Sequence, residues 1–506
     1  MSGSGPGASD AAIAVTLAAG LGLAADYLLW HGPMGPGFVA WIALLGVSAV
    51  VLTRGASTER ARSTGVWAGM GVLAACIPAL RASPELWLVS MLVLIVSASM
   101  VIARVRGRRF GRTRVSDHAQ CVGLVPALAG FGAMPLLARA QFPTVRERPR
   151  AAAFGRGALL AIPPVVVFGA LFAAADPVFE AHVHRLSTGW WDDMPAHIAL
   201  VLGFGWIAGG LLWGVLPGSV RPRLARLRPP RLGVEEVVVV LGAVAVLFAI
   251  FVAIQLPYFF GGRATVEATA GLTLATYARR GFFELVAVAG LVLLLLLVVS
   301  AASPRGAGRW VFRSLAALLL ALVMLVIASA ALRLRMYVAE FGLTTSRFYG
   351  AAFMAWLAAS LLWFGATVVR GRPRRFAAGG VVAGLVVAFG LAAANPDAVI
   401  ARTNLARAAD RPVDVGYLSD LSADAVPTLL AGITGMAPED RCAAARSILA
   451  RWSDEDNRPS SRGDWRRWNA ASARADRLVA VAETRVRPLL EDCPTASGPS
   501  VRGASS

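Results

Sequence analysis

The sequence predicts an all-α protein: a polytopic transmembrane helical bundle of about 11 spans, or 12 if one ambiguous segment also crosses, with a small helical C-terminal extramembrane domain. Three observations predict it. Of the 506 residues 57% are apolar and 16% charged, with mean hydropathy +0.63, whereas a soluble chain is nearer half apolar and a quarter charged. The apolar residues fall in runs of about 20, the length a helix needs to cross the hydrocarbon core. The charge is also sorted along the chain: residues 1–395 hold 34 arginines and 15 acids, and residues 396–506 hold 15 of each. All 49 basic residues are arginine, which an Ala/Arg/Gly-rich coding bias explains more simply than phosphate recognition. Nucleic-acid binding does not fit, because aromatics do not interleave with the charge and no finger or helix-turn-helix spacing is present.

In chain order the spans are expected near 11–30, 36–53, 65–80, 84–103, 157–175, 196–217, 234–257, 281–302, 314–332, 348–369 and 377–395. No arginine precedes the first, so it lacks the basic start of a signal peptide and is read as retained. The segment 119–139 is apolar but carries Gly123, Pro126, Gly130, Gly132 and Pro135. If it lies in the interface or re-enters, the arginine-rich stretches on its two sides stay on one face. The inner segments 54–62, 104–156, 221–231, 305–313 and 370–375 then hold 26 arginines, and the inner face holds six acids, a net of +20. By the positive-inside bias the N-terminus is cytoplasmic and, after an odd number of spans, the tail is exterior, in a plasma-membrane protein. The spacings Gly205/Gly209 and Gly380/Gly384 are of the kind that lets helices approach closely.

The transmembrane part is set at 1–395, the exterior tail at 396–493, and 494–506 is Ser/Gly-rich and expected to be disordered. Asn395-Pro396-Asp397 marks a helix stop and turn. Amphipathic helical patterns follow near 397–409, 422–432, 438–452 and 464–490, with Ser422 placed to cap one of them. Cys442 and Cys493 are candidates for a disulfide, which an oxidising exterior would permit. Cys76 and Cys121 lie in or beside membrane segments.

Several strings carry a resemblance. They are ADPVF around Asp176, TYARRGFFEL from Thr276, LRLRMYVAEFGLTTSRFY from Leu332, NPDAVIARTNLARA from Asn395, YLSDLSADAVPTL from Tyr417 and WRRWNAASARA from Trp465. The chain from about 160 onward resembles the bacterial multi-pass membrane family catalogued as domain of unknown function 4173, and its relative numbered 4153. The resemblance implies a polytopic membrane protein and no catalytic residues.

Ionisable groups at membrane depth are expensive, so each is a functional candidate. Asp176, Gln255, Tyr258, Arg279, Arg280, Glu284, Arg333, Arg335, Glu340 and Arg347 all fall at the outer ends of spans. Read functionally they form an outward-facing, arginine-rich vestibule; read structurally they are ion pairs and snorkelling arginines that fix helix ends. The loop before the span near 196 offers His182, His184, Asp192 and Asp193, donors that suit a divalent metal, beside a Trp190–Trp191 interfacial belt. No HExxH, P-loop, dinucleotide fingerprint or nucleophile elbow is present in a suitable setting, and no cofactor is expected.

The expected function is therefore that of a non-enzymatic membrane protein in envelope sensing, signalling or assembly, with the lipid bilayer and an envelope protein as partners, the latter through the tail. The alternatives are a transporter or lipid flippase with the vestibule as its site, and an intramembrane glycosyl- or phosphotransferase.

Overall fold

The computed structural model describes residues 7–30, 35–53, 58–107, 115–140, 193–216, 218–219, 232–260, 282–303, 308–408, 413–452, 464–491 and 493. Among them the chain is helical throughout, with no strand. Ten helices among the described residues are long and apolar enough to cross a membrane. They are α1 (Ala8–Leu29), α2 (Pro36–Thr53), α3 (Thr58–Ala75) continued by the short α4 (Ile77–Leu80), and α5 (Pro84–Val105). After the bent pair α6 (Val115–Phe131) and α7 (Ala133–Arg139) come α8 (Met194–Val215), α9 (Val234–Phe260), α10 (Phe282–Ala302), α11 (Arg309–Phe341), α12 (Thr345–Phe364) and α13 (Pro373–Ala394). The protein is an all-α multi-pass membrane protein. These ten fall where the sequence places spans; the eleventh, near 157–175, lies outside the described residues.

Two boundaries differ from expectation for physical reasons. The span near 65–80 is broken at Cys76, because Pro78 stands in the first turn of α4 and has no N–H to continue the ladder. Helix α11 has 33 residues instead of the 19 expected; at 1.5 Å per residue it is about 50 Å long, well beyond ~30 Å of hydrocarbon. It is thus longer than one crossing requires, and its last turns carry Arg333, Arg335 and Glu340.

The ambiguous segment is α6 and α7, bent by 61° at Gly132. It packs on α8. The Trp206 indole donates to the Gly130 carbonyl at 2.9 Å, midway along α8, and a Cβ on Gly132 would lie 2.7 Å from the Gly210 oxygen. Arg139, at the far end of the pair, then returns over the Trp213 ring at 5.1 Å, two residues from the end of α8. A full crossing would instead carry Arg139 toward the Met194 end. The end of the pair thus turns back toward the Val215 end of α8.

Two apolar cores hold the bundle. One joins α1, α2, α3, α5, α6, α7 and α8 around Trp41, Leu212 and Trp213; the other joins α9 to α12 around Leu296, Leu319, Leu361 and Phe364. Helix α13 belongs to both: Phe376 packs in the second, and Val381 and Leu385 pack against the first. Helices α1 and α8 cross closely because Gly205 sits against Ala18 and Gly22, and Gly209 against Ala18 and Leu136. Without lipid-excluding pressure between helices, small residues of this kind set the distance of approach.

Past Asn395, which adopts the left-handed conformation (φ 55°) and caps the next helix, come α14 (Pro396–Leu405), α15 (Val415–Asp420), α16 (Val426–Gly432), α17 (Pro438–Trp452), α18 (Ala470–Val486) and α19 (Pro488–Glu491). They share a third core, around Ile400, Leu418, Leu429, Ile448 and Val479. A disulfide joins Cys442 to Cys493, with Cα atoms 5.8 Å apart. The Ser422 hydroxyl accepts from the Asp424 N–H, capping a 3-10 turn that leads into α16. The short α15 is additional to the sequence reading: six residues are too few for a helical period to show.

Candidate functional site: the tail–bundle junction

The tail meets the bundle where helix ends are joined by tight turns. At the α4–α5 turn Arg81 pairs with Asp424 at 3.0 Å, and Asp424 also accepts from the Ala82 N–H at 2.7 Å. The Arg81 fork reaches further, its Nε donating to the Ala392 carbonyl at 2.8 Å. Asn469 donates to the Pro78 and Arg81 carbonyls at 2.8 and 3.0 Å. This turn is thus bound from two tail elements and from the end of α13.

At the α11–α12 turn the geometry is tighter. Asn404 makes a two-way bond with Leu343, accepting from its N–H at 2.8 Å and donating to its carbonyl at 2.7 Å. Arg407 donates to the Ala339 and Glu340 carbonyls, and the Thr345 N–H donates to the Tyr417 hydroxyl at 2.7 Å. Orphan carbonyls at the end of a long helix are in this way satisfied by the tail. Gly342 is needed twice over: its φ is +79°, and a Cβ would stand 2.4 Å from Asn404 Oδ1. A third contact closes the turn between α1 and α2. Arg466, held by Asp464, donates to the Tyr27 carbonyl and lies over the Tyr27 ring at 5.0 Å.

Between these turns lies a buried acidic group. Asp397 is 3% exposed and accepts from both the Ser422 N–H and its hydroxyl. Burial pushes its carboxyl above the usual range; the Ser422 bonds offset part of this, and the nearby Glu85 and Asp424 add to it. Ser83 donates to Glu85 at 2.8 Å. Tyr349 is turned toward the same place.

The residues expected to form a vestibule divide here. Glu340 and Arg347 belong to the α11–α12 turn. Arg347 donates to the Phe341 and Gly342 carbonyls and stacks over Tyr337 at 3.9 Å, and the Glu340 carbonyl receives Arg407. Arg333 and Arg335 lie one to two turns earlier on α11, Arg335 exposed. Gln255 is buried and accepts from Ser329, joining α9 to α11. Glu284 is exposed in the first turn of α10. The Tyr258 backbone is helical. Asp176, Arg279, Arg280, His182, His184 and Asp192 lie outside the described residues. Asp193 is the N-cap residue of α8, its side chain making no cap bond. Among the described residues no three His, Cys, Asp or Glu side chains are grouped as metal ligands.

Sequence reasoning missed Arg81, Glu85, Asp397, Asp424 and Asn469, since their partners are up to 391 residues distant. The same holds for the pair of Asp26 with His197, 2.6 Å apart, with the His197 ring stacked on Trp30 at 3.5 Å. An acid three residues from the end of the first span was the available signal.

The family described as a domain of unknown function (DUF4153) matches residues 68–432, well over half of the chain, and the chain belongs to it. The match runs from α3 into α16, so it begins earlier than the resemblance near 160 implied, and it is to the relative, 4153. No curated protein and no solved structure matches.

Proposed function

We propose that this protein is a non-enzymatic membrane component of envelope sensing, signalling or assembly, with residues 396–493 as its exterior interaction module on the helical part, 1–395. One observation carries the reading. The tail is keyed to three separate interhelical turns, and Arg81, Asn404, Arg407, Asp424, Arg466 and Asn469 are engaged in holding it there. A seat of this kind transmits position between bundle and tail. The orientation follows from charge: the turns that meet the tail alternate with the arginine-rich segments along the chain, so the two occupy opposite faces. A disulfide in the tail suits an oxidising exterior.

The test is accessibility to a membrane-impermeant maleimide in a Cys76→Ala, Cys121→Ala background. Single cysteines at Val323 and Ala330, on the buried seam of α11, are expected to stay unlabelled from both faces. Labelling of either from each face in turn would mark alternating access, and a transporter instead.

A further inference from the structure

Among the described residues one apolar groove stands out. A groove of about 640 Å³ runs between α3–α4 and the end of α13, lined by Met70, Leu73, Cys76, Leu80, Phe389 and Ala392, with Arg81 at its mouth. It arises from the sequence at two points. The helix is interrupted at Cys76, and α13 ends in a run of alanines that includes Ala392 and Ala393, whose small side chains leave space unfilled. Ligand sites span about 300–1,000 Å³.

Its chemistry and position define an occupant. All lining side chains except Arg81 and the Cys76 thiol are hydrocarbon or thioether, so water would find few partners there. Leu73 and Leu80 are exposed within a span, so the groove opens sideways to the bilayer. From Met70 to Arg81 is 11 residues, about 16 Å of helix, close to half of a ~30 Å hydrocarbon core. The groove therefore has the depth of one leaflet, with its polar end at the interface. There the Arg81 guanidinium, a quarter exposed, donates to Ala392, Asp424 and Ala393, using three of its five N–H groups. Two remain for an oxygen acceptor, and guanidinium forks suit phosphate.

We propose that the groove holds one acyl chain of a phospholipid from the leaflet on the tail face, with its phosphate against Arg81. Because Arg81 also holds Asp424, an occupied groove bears directly on the seat of the tail. The lipid site does not depend on what the tail binds.

The test uses the full-length protein reconstituted in phosphatidylcholine vesicles containing a trace of phosphatidylcholine with a diazirine at its chain end. Adducts are mapped by mass spectrometry. The expected result is adducts concentrated at least fivefold on Met70, Leu73 and Phe389 relative to Leu92, Leu247 and Leu291, which are at least as exposed. An even spread over these leucines would overturn the proposal, leaving ordinary boundary lipid. Labelling of the groove by a diazirine fatty acid but not by the phospholipid would overturn it too. In a second arm Ala392→Trp fills the groove. Native mass spectrometry after delipidation and exposure to phosphatidylcholine is expected to show one retained phospholipid in the wild type and at least fivefold less in the variant. Equal retention in a variant that keeps its Cys442–Cys493 disulfide and wild-type melting temperature would contradict it. If the variant does not fold, the cross-linking pattern alone decides.

Discussion

Asp397 shows how one carboxyl ties the tail to pH. Its pKa is raised in the folded state, chiefly by burial, so the folded protein holds that proton more tightly than the unfolded chain. The stability it contributes is fully present below the ordinary carboxylate value, about 4, and is lost as pH rises through the raised value. Melting of the wild type and of Asp397→Asn followed from pH 4 to pH 7 is expected to show the wild type losing stability relative to the variant as pH rises. A flat difference, or one of opposite slope, would mean that folding does not raise the pKa of this carboxyl. Asp424 differs from Asp397 in having a cation. Asp424→Ala removes a pair in which one partner is buried and the other a quarter exposed, and leaves the Ala82 N–H unpaired. A loss of about 2–3 kcal/mol in the unfolding free energy is expected from charged hydrogen bonds of this kind. Neither role was legible beforehand: an Asp after Asn-Pro reads as a turn residue, and only the fold brings Ser422 and Glu85 to it. Asn395, by contrast, was readable as a helix stop, because its chemistry is local.

At the scale of elements, the spans were legible because hydrophobic length is a property of consecutive residues, and the bilayer fixes that length. Helix α11 outran its expected end since the apolar signal stops where the charged turns begin, while its hydrogen bonding continues to Phe341 and is then taken over by Asn404 and Arg407. The Gly205/Gly209 spacing did mark a close crossing, with Gly22 as the partner that spacing alone could not supply. At Gly380 an added Cβ would meet nothing within 4 Å, and at Gly384 only the edge of Trp356. The packing of α6 and α7 on α8 depends on Gly210, where a Cβ would stand 1.9 Å from the Leu128 carbonyl oxygen. Backbone atoms on both sides leave little room to adjust, so Gly210→Ala is expected to destabilise by about 3 kcal/mol or more, at the upper end of overpacking effects. Measured as melting temperature in detergent, an unchanged value would mean that the pair does not pack on α8 in this way. In the tail, the disulfide closes a loop of 51 residues. By the chain-entropy estimate it contributes about 4 kcal/mol, so Cys442→Ser is expected to make the tail sensitive to limited proteolysis while leaving the bundle protected.

Across the whole molecule, two cores are bridged by α13, and α13 is also the helix that runs into the tail through Asn395. Any shift of one core against the other therefore reaches the tail by the chain itself, as well as through Arg81 and the α11–α12 turn. Charge sorting along the sequence and contact geometry in the fold agree on one point: the turns that hold the tail fall between the arginine-rich segments, never among them. The orientation of the whole rests on that alternation. It is tested most directly by fusing a reporter to the C-terminus: alkaline phosphatase, active only outside the cytoplasm, and in parallel a green fluorescent protein that matures only within it. The account predicts active phosphatase and a dark fluorescent fusion. Bright fluorescence with inactive phosphatase would contradict it.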